Sequence, residues 1–291
     1  MKQIAIISGK GGTGKTTLST NFLKLAKNHI GVDCDVDASN LHILFEPDIL
    51  EKQVFIGGSV ARVVGDCINC GKCEQLCRFD AISDSETDIK IDPVKCEGCG
   101  VCEYICPVDA IELERERQGE LYISKTEYCH LIYARLDPGA ENSGLLVTRI
   151  RNIAEDYAYK NSNDLIILDG APGIGCPVIS TLNGVDYALI VTEPTLSGIS
   201  DLKKTIDLVE FFQIKSMVCV NKYDINDENT SAIEKVAKEK NIGLIGNIPY
   251  DEAVLKALVQ KKFIVDDQKS SAAKSIRDIW KKLERILKEE D

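Results

Sequence analysis

Short runs of consecutive apolar residues alternate along the chain with longer stretches in which apolar residues return every three or four positions. QIAIIS (residues 3–8), the start of HIGVDCDVDASNLH (29–42), DLIILDGAPG (164–173) and MVCVNKYD (217–224) are of the first kind. Runs without polar alternation suit strands covered on both faces, as in a parallel sheet. LSTNFLKLAK, close behind the first run, has a helical period, and RLDPGAENSGLLVTRIR (135–151) reads as a glycine–proline loop opening a helix. At the end of the chain Ile276, Ile279, Trp280, Leu283, Ile286 and Leu287 fall on one helical face. Polar residues from Lys274 onward are nearly balanced, six basic against five acidic, so this stripe is expected to pack on the core rather than on a membrane. The alternation predicts an α/β fold, a doubly wound and mostly parallel sheet with helices on both faces.

The first strand and helix are joined by GKGGTGKTT (9–17). Strand, glycine loop and helix in this order make a phosphate site, because Gly9, Gly11, Gly12 and Gly14, with Thr13 between the last two, let backbone N–H groups face phosphate oxygens. The helix N-terminus adds its positive dipole end. Lys15 is placed for the β- and γ-phosphates, Thr16 for Mg²⁺ and Thr17 for the α-phosphate region.

With Lys10 included, KGGTGKT resembles the deviant Walker A loop of the MinD/ParA family of P-loop ATPases, which also includes the nitrogenase iron protein and cluster-carrier ATPases. The resemblance implies slow, Mg²⁺-dependent ATP hydrolysis and an ATP-sandwich homodimer in which Lys10 reaches the partner's nucleotide. Residues 29–42 resemble the family's first switch; by that match Asp35 orients or activates the attacking water, with Asp33 and Asp37 as further candidates. Residues 164–173 resemble the second switch. Asp169 stands at the carboxyl end of its strand, where ligands gather, and is placed to hold a Mg²⁺-bound water. Asn221 matches the asparagine that pairs with adenine, and IPYDEAVLKA from Ile248 resembles the segment leading past the base. PGAENSG resembles the same position in MinD-type ATPases that contain an inserted ferredoxin domain, so the likeness covers essentially the whole chain.

Twelve cysteines change the picture, because eight of them fall in one short region. Cys67, Cys70, Cys73 and Cys77 form C-x₂-C-x₂-C-x₃-C, and Cys96, Cys99, Cys102 and Cys106 repeat it. In paired runs of this kind the fourth thiolate serves the other cluster. Two [4Fe–4S] clusters are therefore expected, one on Cys67, Cys70, Cys73 and Cys106, the other on Cys96, Cys99, Cys102 and Cys77. Pro107 follows the usual pattern after a fourth cysteine and Arg78 departs from it, while FDAI and VDAI after the two runs point to an internal duplication. The expected organisation is an ATPase core at 1–60 and 125–291 around a small α+β ferredoxin-like insert at 61–124, too small to fold without its clusters. In the nitrogenase iron protein a cysteine at the interval that separates Cys176 from Asp169 binds a cluster shared across the dimer axis. Cys176, with Cys129 as a second thiolate, is thus a candidate for a bridging cluster; the alternative is simple packing, as expected for Cys34 and Cys219.

Across 291 residues the net charge is −11, which argues against nucleic acid and anionic membranes as partners. Between Cys67 and Arg117 twelve acidic residues face six basic ones, so a redox or cluster-acceptor partner is expected to present a basic face. The opening residues lack the apolar core of a secretion signal, no apolar run reaches the ~20 residues of a membrane span, and thiols in this number suit a reducing compartment, so the expected location is cytoplasmic. The leading expectation is an ATP-hydrolysing iron–sulfur protein that couples nucleotide state to electron transfer or cluster handling. A cluster assembly or carrier protein, and a positioning ATPase with structural clusters, are the alternatives.

Overall fold

The computed structural model describes residues 1–85, 88–140 and 143–289; Glu141 and Asn142 of the PGAENSG loop, and the last two acidic residues of the tail, lie outside them. In chain order the elements are β1 (Lys2–Ser8), α1 (Lys15–Leu25), β2 (His29–Asp33), α2 (Leu41–Phe45), β3 (Asp48–Val63), α3 (Lys72–Leu76), β4 (Ile82–Ser85), β5 (Asp88–Ile91), α4 (Val101–Tyr104), β6 (Ile111–Lys125), β7 (His130–Leu136), α5 (Ser143–Asn161), β8 (Leu165–Pro172), α6 (Cys176–Leu182), β9 (Tyr187–Thr192), α7 (Leu196–Phe211), β10 (Lys215–Asn221), α8 (Asp227–Glu239), β11 (Gly243–Ile248), α9 (Glu252–Val259) and α10 (Ser271–Lys288).

Two compact units emerge. The first comprises Met1–Lys52, Leu121–Arg135 and Ser143–Asp291. Its sheet runs in the order β11-β10-β9-β1-β8-β2-β7, every adjacent pair parallel, and β6 and β3 extend the order beyond β7. Because successive strand residues face opposite sides, Ile4 and Ile6 of β1 meet Leu18, Phe22 and Leu23 of α1 and the α10 stripe Ile276, Ile279, Trp280, Leu283 and Leu287. Ile286 packs at the margin of the same cluster. The opposite face is covered by α5, α6, α7 and α8. The amphipathic stripe of α10 is therefore spent on the core, and among the described residues no helix is long and apolar enough to cross a membrane. With β1 between β8 and β9, the carboxyl ends of three strands meet where the glycine loop begins.

The second unit comprises Gln53–Glu120 and Leu136–Asn142, which differs from the expected 61–124. The reason is physical: β3 and β6 are strands of 16 and 15 residues that pass from one unit into the other, so the apolar pattern has no break at either expected boundary. The return segment joins this unit because Asp137 N–H donates to the Gln118 carbonyl at 2.9 Å and the Arg117 guanidinium lies 3.1 Å from the Asp137 carboxylate. Inside it an antiparallel β4–β5 pair and the short helices α3 and α4 enclose a small cluster of Ala61, Ile82, Ile89 and Ile111 with Cys73 and Cys102.

One buried group makes the first unit sensitive to acid. His29 opens β2, which is buried along its length, and burial pushes its imidazole down to about 4. The unfolded chain, with a histidine near 6.5, takes up a proton between these values while the folded chain does not, so stability falls as pH drops through this window. Between pH 7 and 5 the native protein should lose about 2 kcal/mol more than a His29→Leu variant, measured by urea unfolding at each pH. Equal losses in the two proteins would refute this.

Candidate functional site

The glycine loop owes its shape to two residues with left-handed backbone. Gly12 and Gly14 have φ of 79° and 90°, a region that side chains resist. Gly14 also caps α1, and a Cβ there would collide with Nδ2 of Asn221. That amide donates to the Thr13 carbonyl at 2.8 Å, while Asn221 Oδ1 accepts from Lys222 N–H at 3.0 Å. Asn221, at the end of β10, thus braces the loop. Beside it Gly12, Gly14, Thr17, Tyr250 and Leu255 help to line a cavity of about 310 Å³.

Lys15 lies buried with its Nζ 3.2 Å from Asp169 Oδ1, an oxygen that also accepts from Ser19 Oγ at 2.7 Å. Burial works against the charge on Lys15, but Asp169, with Asp35 and Asp33 nearby, outweighs it and holds the ammonium above its ordinary value. Asp169 Oδ2 is buried and has no hydrogen-bond partner among the described residues. The Thr16 hydroxyl is 3.4 Å from the same lysine. A buried carboxylate oxygen without a donor is a hard acceptor of the kind Mg²⁺ or its waters take.

The structure separates the three aspartates of the first switch. Asp33 accepts from Asp35 N–H at 3.1 Å through one oxygen, and from Ser39 Oγ, Asn40 N–H and Leu41 N–H at 3.0–3.1 Å through the other. Its oxygens shape the loop and seat α2. Burial, reinforced by Asp169, pushes its carboxyl up. Asp37 is exposed. Asp35 is half-buried within the field of Lys15, and burial raises its carboxyl. Its side chain is less enclosed than that of Asp33 and less exposed than that of Asp37.

In the second unit the two cysteine runs fold alike. Asn69 and Gly98, Gly71 and Gly100, and Asp80 and Asp109 occupy equivalent places and all have positive φ, and Gly71 and Gly100 each cap a short helix. Cys67, Cys70, Cys73 and Cys106 line one small cavity. Cys77, Cys96, Cys99 and Cys102 line another, with Cys73 at its wall. Backbone N–H groups of Asn69, Ala110 and Ala61 point at the sulfurs of Cys67, Cys106 and Cys96 at 3.4, 3.2 and 3.5 Å. Among the described residues no three His, Cys, Asp or Glu side chains converge tightly enough for a single metal ion.

The family pattern described as CobQ/CobB/MinD/ParA nucleotide binding domain matches residues 4–264. The chain belongs to this family. An uncharacterized protein of Methanocaldococcus jannaschii is 38% identical over 290 residues, covering 98% of this chain and 97% of that protein. The septum site-determining protein MinD of Bacillus subtilis is 24% identical over 296 residues, or 96% of this chain and 88% of MinD. Among solved structures, MinD of Pyrococcus horikoshii, described as complexed with Mg-ADP, has a TM-score of 0.60 at 16% identity, covering all of this chain and 98% of its own. At that identity the likeness is one of fold.

Against the family frame the remaining expected residues divide. Lys10 does not extend into solvent; its Nζ is 2.7 Å from Glu193 Oε1. Gly9 packs so tightly on α7 that a Cβ would lie 2.6 Å from that of Asp201, whereas Gly11 faces open space. Cys176 is exposed as the first residue of α6. Within one chain the structure does not bring Cys176 and Cys129 together. Cys129 is buried just before the amino end of β7, whereas Cys176 follows the carboxyl end of β8, and both strands run parallel to β2. The two therefore lie at opposite ends of the sheet, and burial pushes the Cys129 thiol up to about 11. Cys34 and Cys219 are buried packing residues whose thiols burial pushes up to about 12. Sequence reasoning missed Ser19 and Glu193, since neither lies in a motif and each meets its partner only through the fold.

Gly14→Ala should weaken ATP binding at least about tenfold, since left-handed strain and a displaced Asn221 bond together cost ~2 kcal/mol. Nucleotide titration checks the loss, and a cooperative thermal melt only a few degrees below the native one checks the fold; binding at native strength would overturn the assignment of this loop.

Proposed function

We propose that the chain is a Mg²⁺-dependent ATPase in which nucleotide-driven pairing of two copies acts as a switch, in the manner of the positioning ATPases among its relatives. The observation that carries this reading is the buried Lys15–Asp169 pair with one carboxylate oxygen left without a donor, set at the mouth of a glycine loop. The loop amides and the start of α1 bind the phosphates, and Lys15 neutralises charge developing between the β- and γ-phosphates. Thr16 and Asp169 hold Mg²⁺, which supplies further neutralisation of phosphate charge. Asp35 orients the attacking water and takes its proton. The base takes the cavity that Asn221, Tyr250 and Leu255 help to line, and the second amide hydrogen of Asn221 reads it. Lys10 serves the nucleotide of the partner copy.

A second reading rests on the eight cysteines: the second unit holds two [4Fe–4S] clusters, and the nucleotide state governs electron delivery or cluster handling. Two four-cysteine sets, each lining an apolar cavity, offer the soft ligands and the paired spacing that polynuclear clusters take. Such clusters supply one-electron chemistry when bound. The chain contributes the soft ligands, and N–H groups aimed at three sulfurs lower the charge density there. A redox or cluster-accepting partner with a basic face belongs to this reading; a positioning role leaves the clusters structural.

Lys15→Ala should abolish nucleotide binding, whereas Lys10→Ala should retain it and lose turnover about 10²-fold or more together with ATP-dependent pairing. Steady-state kinetics with sedimentation analysis separates the two, and a fully active, monomeric Lys10→Ala protein would exclude the paired mechanism. Anaerobically purified protein should contain about eight irons per chain. About two zinc ions and no iron would rule out the second reading while leaving the first intact.

A further inference from the structure

Lys10 is satisfied within its own chain. An ammonium has three N–H donors, and the structure provides three acceptors: Glu193 Oε1 at 2.7 Å, Thr195 Oγ1 at 3.1 Å and Ser197 Oγ at 3.1 Å. Thr195 is itself fixed, since it caps α7 and accepts from Gly198 N–H. The other oxygen of Glu193 receives Lys222 Nζ at 3.3 Å. Lys222 follows Asn221, the brace of the glycine loop, and stands in a left-handed backbone conformation with φ of 54°. Although burial opposes its charge, Glu193 is kept ionised by the two lysines, which hold its carboxyl below the usual range. One carboxylate thus clasps two lysines at the rim of the phosphate loop.

We propose that Glu193 is a positioning residue that clasps Lys10 in cis, so that Lys10 reaches a partner's nucleotide only by exchanging this carboxylate for a terminal phosphate. The inference rests on the paired ATPase reading. Its physical content is competition: an oxygen anion 2.7 Å away must be given up before another is gained. The clasp therefore sets how much nucleotide-loaded protein is needed before two copies pair. Each copy gives up one clasp on pairing, so a preference of about threefold per copy becomes about tenfold in the dimer dissociation constant. Lys222 draws on the same carboxylate from its second oxygen, so its removal strengthens the hold on Lys10.

Sedimentation equilibrium of the full chain with Mg²⁺ and a non-hydrolysable ATP analogue tests this. With every copy saturated with the analogue, Glu193→Gln should pair about tenfold more tightly than the native protein, and Lys222→Met several-fold more weakly, with thermal melts of the single chain unchanged. Adding Lys10→Ala to Glu193→Gln should erase the gain. A residue that merely supports the loop would move both variants in one direction and lower the melts. If the native protein pairs and Glu193→Gln pairs equally or less tightly, the clasp is overturned and the paired reading stands. If neither native protein nor Glu193→Gln pairs, the paired reading fails and the clasp fails with it.

Discussion

The first unit turns on one ion pair buried between a helix start and a strand end. Lys15 and Asp169 are brought together because β1 and β8 are adjacent and parallel, with Ile6 level with Asp169. Two opposite charges out of water are tolerable only with good geometry and further hydrogen bonds. Ser19, one turn along α1, contributes one such bond. What is left over, the second oxygen of Asp169, is the feature that makes the site more than a structural pair. A purely stabilising arrangement has no use for a buried acceptor without a donor.

The loops around this pair are held by side chains that do no chemistry. Asp33 gathers four donors and so gives the first switch its path. Asn221 ties the glycine loop to the end of β10, while Glu193, just past the end of β9, takes up the Lys10 side chain. Each tie joins residues far apart in sequence. The resulting frame keeps Asp35 half-buried in the field of Lys15, a field that Asp33 shares while its own oxygens are taken up by the loop.

The second unit is held differently. Its apolar cluster is small and includes cysteines among its own members, so apolar burial gives it far less cohesion than the first unit has. The duplicated backbone, with left-handed residues at matching places, bends each run so that three of its sulfurs line one cavity while the fourth lines the other.

Much of this was legible in the residues themselves. Apolar runs declare buried parallel strands because a strand covered on both faces has no polar side to show, and the glycine loop declares a phosphate site because only glycine accepts the backbone it needs at Gly12 and Gly14. The cysteine spacing, being local, likewise announced two sets of four cysteines, and each set lines one cavity. Tertiary structure alone decided the rest. Which aspartate of the first switch is available depends on where Asp33 finds its donors, and the partner of Lys10 depends on a loop more than 180 residues away. The limits of the second unit depend on two long strands that carry no break in pattern. Cys129 and Cys176 are separated by the parallel direction of β7 and β8, which places them at opposite ends of one sheet. Local pattern encodes backbone conformation and ligand type, whereas the meeting of distant side chains is settled only when the sheet order is.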